Sequence, residues 1–144
     1  MITDTDVRAF LNDNFGHDFG TEGFVMPQNA AGVWLVEPEA LGPMWSEICL
    51  MNYPRLFRET FFDVFLMDSV ALHGVMKPII VSGTKTGSVR KFEIADGYHR
   101  LIAAALLGRK IPACLIDMSA KGKKPSKRLI KDFLEAVYNK ENTD

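Results

Sequence analysis

The stretch from Phe92 to Pro112 constrains the chain most: Phe-Glu-Ile-Ala, then Asp96-Gly97, then Tyr-His-Arg and an alanine-rich run, then Gly108, then Ile-Pro. Apolar alternation before Asp-Gly predicts a strand. Leu101, Ile102, Ala105 and Leu106 recur at helical spacing after it, Gly108 supplies a stop, and Ile111 to Ile116 reads as a second, buried strand. Such a strand-turn-helix unit places backbone N–H groups and a fractional positive charge at the helix N-terminus, beside a glycine that lets a ligand approach. Arg100 would add a planar fork suited to phosphate oxygens, and His99 a group that donates, accepts or titrates near neutral pH. From these residues alone a second reading stays open. In it Asp96 is an N-cap, Gly97 a turn residue, and His99 with Arg100 a solvated first turn.

The remaining segments supply partners for that unit. Asp4 to Asn14 is expected to form a short helix bearing Val7, Phe10 and Leu11, and Gly16 to Ala31 a loop pinned by aromatics, with His17 as a surface residue. Val33 to Val36 reads as a strand closed by Glu37-Pro38. Pro43 can start a helix with Met44 and Ile48 on its buried stripe. From Pro54 to His73, Leu56, Phe57, Phe61, Val64, Phe65 and Leu72 predict one long helix forming a main wall of the core, with its phenylalanines buried. Ile79 to Val81 reads as a strand, Ser82 to Ser88 as a polar loop, and Val89 to Ile94 as the return strand. Ser126 to Asn139 reads as a final amphipathic helix. The pattern amounts to an α/β (α+β) single domain with a small mixed sheet flanked by helices. Residues 1–32 are an extension, 33–117 the core, and 118–144 a basic linker with the last helix.

Composition narrows the function classes. Charge is nearly balanced, 17 basic against 18 acidic residues, so the molecule as a whole offers no electrostatic footprint for DNA. Basic residues nevertheless crowd one stretch, Lys121, Lys123, Lys124, Lys127, Arg128 and Lys131, read as a solvated face or a phosphate-backbone contact. Cys49 and Cys114 sit among apolar neighbours, which favours reduced, buried thiols. With three scattered histidines and no Cys-x-x-Cys, no metal site is expected. The opening Met-Ile-Thr-Asp lacks the cationic head and apolar run of a secretory signal, and no run approaches a membrane span, so a cytoplasmic location is expected.

Two boxes resemble the ParB/sulfiredoxin superfamily. Asp68 to Val81, running through Gly74 and Lys77-Pro78-Ile79-Ile80-Val81, is similar to its Ser-Ile…Gly…Gln-Pro-Ile-x-Val segment. Asp96-Gly97-Tyr98-His99-Arg100 is similar to its Gly-x-x-Arg phosphate box. The resemblance implies a nucleotide site, ATP or CTP with Mg²⁺, in which Gly97, Tyr98, His99 and Arg100 hold the phosphates and Gly74, Lys77 and Pro78 line the pocket. Asp96, His99 and Glu93, with Glu37 behind them, are the candidates for acid or base work in NTP hydrolysis or small-molecule phosphoryl transfer.

The departures limit that transfer. Tyr98 stands where sulfiredoxins carry their catalytic Cys, which excludes sulfinic-acid reduction through a thiol at that position. Chromosome-partitioning members have Glu-Arg-Arg after the Gly and an attached helix-turn-helix domain, for which residues 118–144 are too few. The Asp-Gly-x-His-Arg form is closer to the superfamily's free-serine kinases and to small phage or plasmid ParB-like proteins. The alternative function is a non-catalytic DNA- or protein-binding module using Lys123, Lys124, Lys127 and Arg128. Nuclease chemistry ranks lower, since no compact set of metal-binding carboxylates is visible.

Overall fold

The computed structural model describes residues 29–86, 89–119 and 123–138. The expected helix over 4–14, His17, Lys121 and part of the 82–88 loop lie outside those residues. Four strands, β1 (Ala31–Val36), β2 (Ile79–Thr86), β3 (Val89–Asp96) and β4 (Ile111–Asp117), form one sheet in the order β1-β4-β2-β3. The pairs β1/β4 and β2/β3 are antiparallel and β2/β4 is parallel, so the sheet is mixed. A 3-10 segment (Pro38–Met44) and helices α1 (Glu47–Met51), α2 (Tyr53–Phe61) and α3 (Val64–His73) lie between β1 and β2. α4 (Tyr98–Leu106) carries the chain from β3 to β4, and α5 (Lys127–Tyr138) ends the described structure. The expected α+β class with a small mixed sheet is what the chain forms.

Register explains where the core sits. The pairs Ile79↔Ala113, Val81↔Leu115 and Val81↔Ile94 bring alternate residues of three strands to one face, and Val36 paired with Ile111 extends it onto β1. There they pack with Leu41 and Met44, with Leu101 and Ala104 of α4, and with Leu129, Phe133 and Val137 of α5. Phe133 anchors this layer through ring contacts with Trp34 and Phe92. Gly83 keeps Leu129 close, because a Cβ there would lie 3.1 Å from its Cδ2.

Four local expectations are corrected. The helix expected from Pro54 to His73 is two helices: the chain breaks after Phe61, and the Asp63 side chain accepts the Leu66 N–H at 3.0 Å to cap a new start. Phe61, Val64, Phe65 and Leu72, expected in the core, are exposed; Leu56, Thr60 and Val70 are the buried residues of that run. Pro43 lies inside the 3-10 segment, and α1 starts instead at Ser46, whose Oγ accepts the Cys49 N–H at 3.2 Å. Most of the loop expected from Ser82 is strand, since β2 continues to Thr86 in register with Val89.

Candidate functional site

The handover from β3 to α4 is built on Gly97. Asp96 is the last residue of β3, not the helix cap; Gly97 takes the N-cap position at φ 113°, and its carbonyl accepts the Leu101 N–H at 2.9 Å. Only glycine fits, because a Cβ there would lie 2.4 Å from Ile79 Cγ2. No side chain caps α4, so its first N–H groups are left to whatever fills the space in front of them. That space is a cleft of about 340 Å³. Ala95 to Arg100 form one wall, and Ile48, Cys49, Asn52, Arg55 and Leu56 of the α1–α2 segment form the other.

Arg100 is engaged by the protein itself. Its guanidinium, 14% exposed, donates through Nη1 to the carbonyls of Lys77 and Pro78 at 3.1 Å each and through Nη2 to Asp96 Oδ2 at 3.2 Å. Burial lowers its pKa, and the Asp96 carboxylate partly offsets this. Lys77 and Pro78 thus meet the turn through their backbones. They do not line the cleft, and neither does Gly74, which ends α3 at φ 74° beside the Arg109 guanidinium.

His99 lines the cleft, with Nε2 3.3 Å from Glu59 Oε1. Asp96 also borders it, 59% exposed at its side chain. Glu93 stands outside it, with a carboxylate oxygen 3.7 Å from Lys91 Nζ. Tyr98 packs edge-on against Trp45 at 4.6 Å; its hydroxyl donates to the Ile94 carbonyl at 2.9 Å and accepts the Ser46 N–H at 3.4 Å. Burial first, and then the neighbouring Cys49 thiol, raise its pKa.

Arg55, Asn52, Glu59 and Cys49 are the site residues that sequence reasoning missed. Asn52, Arg55 and Glu59 follow at steps of three and four, the spacing of one helix face, which was the signal available. Cys49 gave none, since only packing of α1 against α4 brings it to Tyr98. Among the described residues no group of three or more His, Cys, Asp or Glu side chains is placed to hold a metal ion. No helix among them is long and apolar enough to cross a membrane.

The model of the ParB N-terminal domain matches residues 62–129 of this chain. The stretch that carries both sequence boxes is thus similar to a ParB N-terminal domain. The matched segment runs from the break before α3 through the Gly97 turn into α5, and so contains one wall of the cleft. The opposite wall, from Ile48 to Leu56, precedes it. Among solved structures, sulfiredoxin from Arabidopsis thaliana is similar, with a TM-score of 0.38 and 18% identity over 72% of this chain and 98% of its own. No curated protein sequence matches.

Two thiols near this ParB-type turn differ in surroundings. Cys114 is fully buried and burial raises its pKa, the Arg100 charge partly offsetting this; Cys49 is half-buried on the cleft. In the folded chain a thiol reagent is expected to modify Cys49 and to reach Cys114 only on unfolding. The raised Cys114 and Tyr98 groups keep their protons in the folded state to higher pH than in the unfolded one. Their contribution is therefore whole below the unfolded thiol value of about 8.5 and lost as pH rises through the folded values. Melting temperature is expected to fall on the alkaline side, less steeply in Cys114→Ala than in the native chain.

Proposed function

We propose that this chain binds the phosphates of a nucleotide, ATP or CTP, in the cleft before α4. The observation that carries the reading is the uncapped, glycine-started α4 N-terminus facing a cleft of about 340 Å³ whose walls hold Arg55 and His99. Arg55 is cationic, His99 can donate a hydrogen bond, and both are more accessible than the clamped Arg100. Arg100 then acts as a positioning residue, holding the segment before β2 against the turn. A Mg²⁺ arriving with the nucleotide would find one cleft carboxylate, Asp96, and take its remaining oxygens from phosphate and water, the usual pattern for this ion.

Of the expected acid–base residues, His99 and Asp96 border the cleft and Glu93 does not. Hydrolysis or phosphoryl transfer to a small molecule is assigned to His99, with Glu59 orienting its ring. Thermal denaturation against a nucleotide panel, with and without Mg²⁺, tests the binding. ATP or CTP at a hundredfold excess over its Kd is expected to stabilise the chain by about 2.7 kcal/mol. Arg55→Ala is expected to abolish that shift at the same concentration, while His99→Gln retains binding and loses turnover. No shift with any nucleotide rejects the reading.

A second reading, a non-catalytic nucleic-acid- or protein-binding module, is favoured by exposed Lys123, Lys124, Lys127 and Arg128 at the start of α5. It predicts affinity for DNA that falls steeply with salt, by about 0.9 log units per log unit of salt for each phosphate neutralised.

A further inference from the structure

Asn52 sits at the joint between α1 and α2, on the cleft wall that precedes the residues 62–129 matched to the ParB N-terminal domain. As the N-cap of α2 it would ordinarily turn its side-chain oxygen onto the Arg55 N–H, since Pro54 has none to offer. It does not. Its backbone at ψ 7° lacks the extended form that aims a cap side chain, and α2 has no side-chain cap. The amide turns back instead, and Nδ2 donates to the Ile48 carbonyl at 2.8 Å. A carbonyl only accepts, so this bond fixes which branch of the amide is nitrogen and leaves Oδ1 as the other. Among the described residues no hydrogen bond reaches Oδ1, and Nδ2 donates to no second acceptor.

The surroundings of that amide suit a flat ring. The Asn52 N–H bonds the Ile48 carbonyl at 3.1 Å and the Leu56 N–H bonds the Asn52 carbonyl at 3.0 Å, which sets Ile48, Asn52 and Leu56 in one row along the wall. All three line the cleft, so one polar group stands between two apolar ones, in the same space that Arg55 and the α4 N-terminus border. We propose that Asn52 reads the base of the nucleotide and selects amino bases over keto bases, an inference that rests on the phosphate-binding reading above. Adenine and cytosine present an exocyclic amine, a donor for Oδ1, next to a ring nitrogen that can accept the free amide N–H. Guanine and uracil present a carbonyl there, and two acceptors facing one another leave both unpaired. Turning the amide over to suit them would break its bond to Ile48 and set Oδ1 against that carbonyl.

Calorimetric titration of the full chain with ATP, CTP, GTP and UTP, each with Mg²⁺, tests this. ATP and CTP are expected to bind about tenfold or more tightly than GTP and UTP, the discrimination that one matched amide gives. Their 2′-deoxy forms are expected to bind as the ribose forms do. Asn52→Ala is expected to erase the difference among the four, with circular dichroism unchanged, since the lost side chain bonds only a carbonyl within its own turn. The native-chain comparison does not depend on that variant folding. Four equal affinities in the native chain overturn the proposal and leave the phosphate reading standing. A preference that Asn52→Ala preserves, or one that follows the 2′-hydroxyl and not the base, does the same. No binding of any of the four overturns both.

Discussion

Gly97→Ala is expected to destabilise the chain by about 3–5 kcal/mol, a large share of the 5–15 kcal/mol that holds a domain of this kind together. Two effects add. The backbone at φ 113° is closed to residues with a side chain, which costs about 1–3 kcal/mol. The new methyl would also lie 2.4 Å from Ile79 Cγ2 and 2.9 Å from Arg100 Nη2. Ile79 is fully buried in the middle of the sheet and cannot swing away, so overpacking adds about 1–3 kcal/mol. Two other glycines give the scale. Gly108→Ala meets nothing within 4 Å but keeps a φ of 64°, and is expected to lose only the backbone part; Gly42→Ala meets nothing and has no such φ, and is expected to be close to neutral. Urea denaturation of the three variants orders them.

Arg100→Ala is expected to cost about 2–4 kcal/mol, because hydrogen bonds from a charged donor contribute about 1.5–3 kcal/mol and stranded carbonyls add to the loss. The guanidinium ties the carbonyls of Lys77 and Pro78, just before β2, to the Asp96 end of β3. Removing it unfastens the segment from Gly74 to Pro78 from the Gly97 turn. Arg100→Lys is not expected to rescue the loss, since one ammonium cannot reproduce a fork that reaches two carbonyls and a carboxylate. Chemical denaturation of both variants checks this. Arg55→Ala, on an exposed cleft residue, should leave stability within about 0.5 kcal/mol of native while removing the nucleotide effect. The contrast separates a residue that builds the site from one that contacts the ligand.

The part of the fold that sequence exposes is the part made by neighbours along the chain. The run from Phe92 to Pro112 folds as strand, Gly97 turn, helix and strand, because alternation, an Asp-Gly pair and a helical apolar stripe act within a few residues of one another. Periodicity failed over 54–73 for a physical reason. It reports which residues share a helix face and not what covers that face, so an outward apolar row reads the same as a core one. The Asp63 cap that breaks this run was a weak signal inside a strong apolar pattern.

The candidate site was legible on one wall only. Asp96 to Arg100 announce themselves by spacing, whereas Cys49 and Arg55 reach the cleft, and Glu59 reaches His99, through packing of α1 and α2 over α4. The role of Arg100 was hidden for a further reason. Two of its acceptors are backbone carbonyls, which every residue carries and no sequence displays.

The most direct test of the nucleotide reading follows the backbone amides themselves. In a ¹⁵N-labelled full chain titrated with ATP or CTP and Mg²⁺, the signals of Tyr98, His99 and Arg100 are expected to move together and saturate, with Arg55→Ala suppressing the movement. Signals at those three positions that stay fixed, while the only changes fall on Lys123 to Arg128, would contradict it.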